Sequence, residues 1–140
     1  MNHDSYSDDY IRGILARVKT IALVGASPRA DRPSNRVMAF LQRKGFHVIP
    51  VNPQALGQEI HGAKVVGSLR DIAEPVDMVD IFRRSAEVAP VVDDAIAKHA
   101  KIVWMQLGVR DDKAAAKAEA AGIDVVMNRC PAIEMPRLGL

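Results

Sequence analysis

Three arginines, Arg29, Arg32 and Arg36, crowd one stretch of the chain, Thr20-Ile-Ala-Leu-Val-Gly-Ala-Ser-Pro-Arg-Ala-Asp-Arg-Pro-Ser-Asn-Arg36. A guanidinium is always charged, and its forked donors suit phosphate oxygens. Small and polar residues lie around the arginines: Gly25, Ala26, Ser27, Pro28, Ser34 and Asn35. Gly25 lets a chain leave a strand tightly, so the backbone N–H groups after it can approach an anion. Ser27, Ser34 and Asn35 can add side-chain donors. A helix capped by Ser34 would add the positive end of its dipole. The chemistry these residues suit is the holding of phosphate.

Reactive groups are few. Cys130 is the single cysteine. That excludes an intrachain disulfide and fits a reducing cytosol. It is the one candidate nucleophile, with only Arg129 nearby in sequence to activate it. His3, His47, His61 and His99 are scattered. None has a serine, cysteine or carboxylate at a spacing that suggests a triad. No paired His or Cys spacing suggests a metal. Asp77 and Asp80 share one apolar run but point to opposite strand faces, so they do not form an acid/base pair. Capping or a loop contact is the expected role of each.

The elements that must position these groups alternate. Asp8 to Lys19 reads as a helix capped by Ser7, with Ile11, Ile14, Leu15 and Val18 on one face. Ile21 to Val24, Phe46 to Val51, Val76 to Phe82, Lys101 to Gln106 and Ile123 to Met127 read as strands. Lys64 to Val66 could add a short edge strand. Helices are expected from Ser34 to Gly45, with Val37, Met38 and Leu41 along the inner face, from Ser85 to about His99, and from Asp111, its cap, to Ala121, closed by Gly122. Pro90 loosens the first turn of the second of these or moves its start. Ser68 to Asp71 resembles a capping box opening a short helix. Asn128 to Leu140 has two prolines and little periodicity, and reads as a tail.

Strand–helix alternation predicts one α/β domain over residues 1–140. Its fold is Rossmann-like and doubly wound, a mainly parallel sheet with helices on both faces. The expected strand order is 3-2-1-4-5, with a sixth strand beside it. At 140 residues and 49% hydrophobic content the chain can bury a real core. A net charge of +2 implies no general polyanion surface, so no nucleic-acid partner is expected. No apolar run approaches the roughly 18 residues a bilayer span needs. The acidic, polar start is no secretory signal. A cytoplasmic protein is expected. Strand edges and the apolar first helix leave a homodimer open.

In such sheets ligands bind beyond the carboxyl ends of the strands. Those ends carry Gly25-Ala-Ser-Pro28, Val51-Asn-Pro53, Phe82-Arg-Arg-Ser85, Gln106-Leu-Gly-Val109 and Asn128-Arg-Cys-Pro131. The dinucleotide fingerprint needs Gly-x-Gly-x-x-Gly and, about twenty residues on, an acid for the ribose. Only Gly25 is present; Ser27 and Ala30 hold the other glycine positions, and Asn52 ends the second strand. NAD is therefore disfavoured. NADP is weakened too, since no arginine follows that strand. A P-loop is excluded by the absence of Gly-Lys-Ser/Thr.

Five motifs in order resemble the small stand-alone CoA-binding proteins: Val24-Gly-Ala-Ser-Pro-Arg29 with Arg32-Pro-Ser34, Val48-Ile-Pro-Val-Asn-Pro53, Val79-Asp-Ile-Phe-Arg-Arg-Ser85, Val103-Trp-Met-Gln-Leu-Gly-Val109 and Val126-Met-Asn-Arg-Cys-Pro131. Their domain is similar to the N-terminal domain of the succinyl-CoA synthetase alpha subunit. The resemblance covers about Asp8 to Glu134 and implies bound coenzyme A. It implies that Gly25, Ala26, Ser27, Pro28 and Arg29 line the phosphate and adenosine side, with Ser34 and Asn35 at the helix entry. Val51, Asn52 and Pro53 would border the adenine. Phe82, Arg83 and Arg84 would flank the ligand, and Gln106 and Gly108 would lie towards the pantetheine. Synthetases of this kind relay phosphate through a histidine in a second domain that this chain lacks. The expectation is non-catalytic binding of CoA or an acyl-CoA. The alternative is a small NAD(P)-linked or acyl-CoA-handling enzyme on the same fold.

Overall fold

A computed structural model describes residues Met1–Leu140. The continuous apolar runs form one sheet because each is covered on both faces. In chain order the elements are α1 (Asp8–Ala16), β1 (Thr20–Val24), α2 (Pro33–Arg43), β2 (His47–Val51), β3 (Glu59–Ile60), β4 (Ala63–Lys64), β5 (Met78–Ile81), α3 (Val88–Ala97), β6 (Ile102–Met105), α4 (Asp112–Ala120), β7 (Asp124–Val126) and α5 (Pro131–Arg137). Five strands pair in parallel in the order β2-β1-β5-β6-β7. This is the expected Rossmann-like order, with the sixth strand present as β7.

The short edge strand is reduced. Val66 makes a single parallel bridge to Val51, and β3 and β4 form a small antiparallel hairpin beside it. Ser68 does not cap a helix; a single 3-10 turn spans Leu69–Asp71. The helix expected from Ser85 is likewise divided, a 3-10 turn at Ser85–Glu87 preceding α3, so Pro90 falls within the first turn of α3.

Alternation along the strands sorts the core into two layers. Ala22, Val24, Val79, Ile81, Val103 and Met105 pack beneath α3 and α4. Ile21, Leu23, Met78, Ile102 and Trp104 pack beneath α1, α2 and α5. The caps read from sequence hold at two helices. Ser7 Oγ accepts from the Tyr10 N–H, and Asp111 Oδ1 from the Ala114 N–H at 2.9 Å.

Two expectations about helices are corrected. α2 begins at Pro33, not at a Ser34 cap, because the fixed φ of proline suits the first helical position. The cap position falls to Arg32, which makes no side-chain cap bond. The tail contains α5. Its Pro131 also starts a helix, and its Pro136 falls in the last turn, where only one intrahelical bond is forfeited.

The free side of β7 is closed by side chains from the N-terminal segment. Tyr10 donates its hydroxyl to the Val125 carbonyl at 2.8 Å, and the Met127 N–H donates to Tyr6 Oη at 2.8 Å. Burial pushes the Tyr10 hydroxyl well above the ordinary tyrosine range, and Asp124 adds to the effect. The apolar face of α1 (Ile11, Ile14, Leu15) is buried within the chain. The β7 side of the sheet and the apolar face of α1 are thus engaged within the chain. No helix is long and apolar enough to cross a membrane.

Candidate functional site

At the carboxyl end of the sheet, β1 leaves through Gly25. Its φ is +88°, and a Cβ there would stand 2.1 Å from the Phe82 carbonyl oxygen. The strand exit is fixed by backbone bonds from the Gly25 and Ala26 N–H groups to the Val51 carbonyl, at 2.9 and 3.3 Å. The Asn52 amide donates to the Ala26 carbonyl at 2.8 Å, and its oxygen accepts from the Gln54 N–H at 2.9 Å. The exit loops of β1 and β2 are therefore joined by the residue standing where a ribose-binding acid would be.

The loop then runs to α2 and is tied back at its end. Asn35 donates its side-chain amide to the Ser27 carbonyl at 2.9 Å. His61, from the turn between β3 and β4, reaches the Asn35 side-chain oxygen at 2.9 Å. Both hold the first turn of α2 against the loop; Pro33 has no N–H and the Asn35 N–H is bonded to the Arg32 carbonyl at 3.1 Å, which leaves the Ser34 N–H as the free donor of that turn.

One cavity of about 410 Å³ opens here, and Gly25, Ser27, Arg32, Ser34, Phe82 and Gln106 line it. Its other walls come from Pro33, Val37, Leu107, Val109 and Cys130. A volume in this range suits a small-molecule site. Six of the sequence-selected residues thus meet in one place, and the candidate nucleophile joins them.

The other selected residues lie elsewhere. Val51, Pro53 and Arg83 line a smaller cavity of about 150 Å³ with Ser68 and Asp94. Ala26 is buried and serves through its carbonyl. Asn35 and Asn52 brace loops. Arg29 turns its guanidinium to Asp31 at 3.0 Å, with its side chain 63% exposed, and Pro28 is also exposed. Arg36 donates to the Asp31 carbonyl. Arg84 pairs with Glu87 at 2.8 Å. The Gly108 N–H donates to Asn128 Oδ1 at 2.7 Å. Of the three crowded arginines only Arg32 lines the main cavity.

Sequence reasoning missed Pro33, Val37, Leu107 and Val109 as walls. Val37 had been read only as inner-face core of α2, and Leu107 and Val109 flank a glycine in a strand-end motif without a polar group to mark them.

Asp77 behaves as expected. It accepts from the Lys19 and Thr20 N–H groups at 2.9 and 3.0 Å. Burial raises its pKa, but those bonds and Lys101 outweigh it and hold the carboxyl below the usual range. Asp80 does not fit a capping or loop role. It lies in register between Leu23 and Trp104, is 0% exposed, and neither carboxyl oxygen has a partner. Burial pushes it well above the usual carboxylate range, which favours the protonated form. Gln106 Oε1 is likewise buried and unpartnered. No group of three His, Cys, Asp or Glu residues is arranged to hold a metal ion.

A family model described as a CoA binding domain matches residues 19–136. The chain belongs to the CoA-binding domain family. Among family relatives, the uncharacterized protein YneT of Bacillus subtilis is 38% identical over 120 residues, covering 86% of this chain and 87% of that one. A hypothetical protein from Pyrococcus horikoshii OT3 superposes with a TM-score of 0.92 at 41% identity, covering 100% of this chain and 97% of the other. The dinucleotide-forming acetyl-coenzyme A synthetase 1 of Ca. Korarchaeum cryptofilum, in complex with phosphate and ADP, shares the fold alone. Its TM-score is 0.70 at 24% identity, over 85% of this chain and 27% of that chain.

Proposed function

We propose that the 410 Å³ cavity binds coenzyme A or an acyl-CoA, and that the chain binds this ligand without turning it over. The carrying observation is the set of groups that share one cavity. Arg32 and Ser34, at the start of α2, line it together with the apolar Phe82, Leu107 and Val109 and the polar Gln106. A ligand that joins phosphates to a long arm bearing amides matches that set. Membership of the CoA-binding domain family supports it. A pyridine dinucleotide matches less well, because Asn52 offers no carboxylate and both ends of its amide are engaged in joining loops.

The non-catalytic half of the reading rests on what lines the cavity. No histidine, aspartate or glutamate is among its walls, so no general base stands within reach of a bound substrate. A cytoplasmic setting fits the single unpaired cysteine.

Calorimetric titration with CoA, dephospho-CoA, NADH and NADPH tests the reading. CoA should bind most tightly. Arg32→Ala should weaken CoA by about 10- to 100-fold, the loss of one charge-assisted bond of ~1.5–3 kcal/mol. Arg29→Ala should change affinity by less than about threefold, since an exposed pair with Asp31 contributes little. A preference for NADH over CoA would overturn the ligand assignment. Hydrolysis of an acyl-CoA above its uncatalysed rate would overturn the non-catalytic half.

A further inference from the structure

We propose that Cys130 holds the thiol end of the bound CoA as a mixed disulfide, which makes the chain a covalent, reversible carrier of CoA. This inference rests on the CoA reading of the cavity. Two independent observations bring it forward. Cys130 lines the same cavity as the phosphate-suited residues Arg32 and Ser34, although it lies about a hundred residues further along the chain. Gln106, 5% exposed, lines that cavity too, and its buried Oε1 has no partner in the protein.

An unpartnered buried oxygen is costly, and a turn of the Gln106 amide into the cavity would pair it with a ligand N–H. The arm of CoA carries two amides between its phosphates and its thiol. A ligand anchored by phosphate near Arg32 and by an arm amide at Gln106 presents its sulfur last, within a cavity whose one sulfur wall is Cys130. The thiol is 6% exposed and reachable through the cavity. Its side chain makes no cap bond at the start of α5. Burial of the sulfur slows exchange with bulk thiols without preventing it.

The co-reactant is the disulfide form of CoA. The Cys130 thiolate attacks one sulfur of CoA disulfide, and a new S–S bond forms as the old one breaks. The electron pair leaves on the second CoA sulfur, which takes up the proton that Cys130 gave up. One free CoA thiol is released per protein disulfide formed, and no further oxidant is required. A cellular thiol reverses the step by the same exchange.

The full chain carries one cysteine, so intact-mass measurement after incubation with CoA disulfide reads the site directly. The expected result is one adduct of a CoA less one hydrogen, removed by dithiothreitol and not formed by Cys130→Ser. Reversible docking should make wild-type protein react at least about tenfold faster with CoA disulfide than with glutathione disulfide. Arg32→Ala should slow the CoA reaction more than the glutathione reaction, narrowing the gap between the two disulfides. The comparison of the two disulfides needs only wild-type protein, so it stands if a variant misfolds. Equal rates with both would overturn the proposal, since Cys130 would then be an ordinary accessible thiol. Calorimetric CoA binding with no adduct would also overturn it and leave the CoA reading intact. No CoA binding in calorimetry would remove the CoA reading, and this inference with it.

Discussion

Gly25→Ala is expected to lower stability by ~3 kcal/mol or more, about 10 °C in Tm for a chain of this size. Two costs add. The backbone sits at φ +88°, where a Cβ is strained by ~1–2 kcal/mol. The new methyl would also stand 2.1 Å from the Phe82 carbonyl oxygen and 2.9 Å from its carbon. That neighbour is backbone, held by the Phe82 N–H bond to the Val24 carbonyl at 2.8 Å, so it cannot rotate away. The exit of β1 must shift, and with it the wall of the cavity. Thermal unfolding followed by circular dichroism checks the stability, and CoA titration checks the site. An alanine variant within 1 kcal/mol of wild type, by the usual scale of mutational effects, would mean that the close approach to Phe82 is not rigid.

Asp80→Asn is expected to act in the opposite direction, raising stability at pH 7 by ~1–3 kcal/mol. In the folded protein the Asp80 carboxyl stands well above its usual range, because burial penalises the charge and no partner offsets it. The unfolded chain releases that proton near pH 4. Below that pH both states are protonated, and Asp80 carries no ionisation cost. As pH rises above it, the unfolded state binds fewer protons than the folded state, so folding stability falls. The fall continues until the folded-state pKa is passed. Asparagine removes this slope. Urea unfolding of both proteins from pH 5 to pH 8 should show a gap that widens with pH. A gap that stays constant, or a less stable variant at pH 7, would show that Asp80 does not carry this ionisation cost.

The order of elements was legible because the strands are unbroken apolar runs and the helices carry their inward residues at helical spacing. Ser7 and Asp111 were legible as caps because each is followed by a helix with no competing start signal. Ser34 was misread for the opposite reason: serine is a common cap, but Pro33 before it is a better first residue. The α5 helix was hidden by its two prolines, which mark ends as often as beginnings. Arg32 could not be separated from Arg29 and Arg36 in sequence, because the separation depends on Asp31 drawing the other two away. Asp80 was visible as an acid inside an apolar strand. That it has no partner is a property of Leu23, Trp104 and the helices above them, which no local spacing records. The cavity walls from Val37 and Val109 are apolar in any reading and become walls of one cavity only when the ends of β1, β5, β6 and β7 are brought together with the start of α2.

The tyrosine seal over β7 has a consequence for how the chain is completed. Its two hydrogen bonds join residues 115 and 121 positions apart. Closing such long spans comes late, after shorter-range contacts have reduced the entropy cost. Tyr6 and Tyr10 must therefore wait for a strand synthesised more than a hundred residues after them. During that wait the rim of β7 presents free carbonyl and amide groups, the template on which a second molecule can add a strand. Tyr6 and Tyr10 make the last stitch in assembly the one that ends the molecule's exposure to self-templated aggregation.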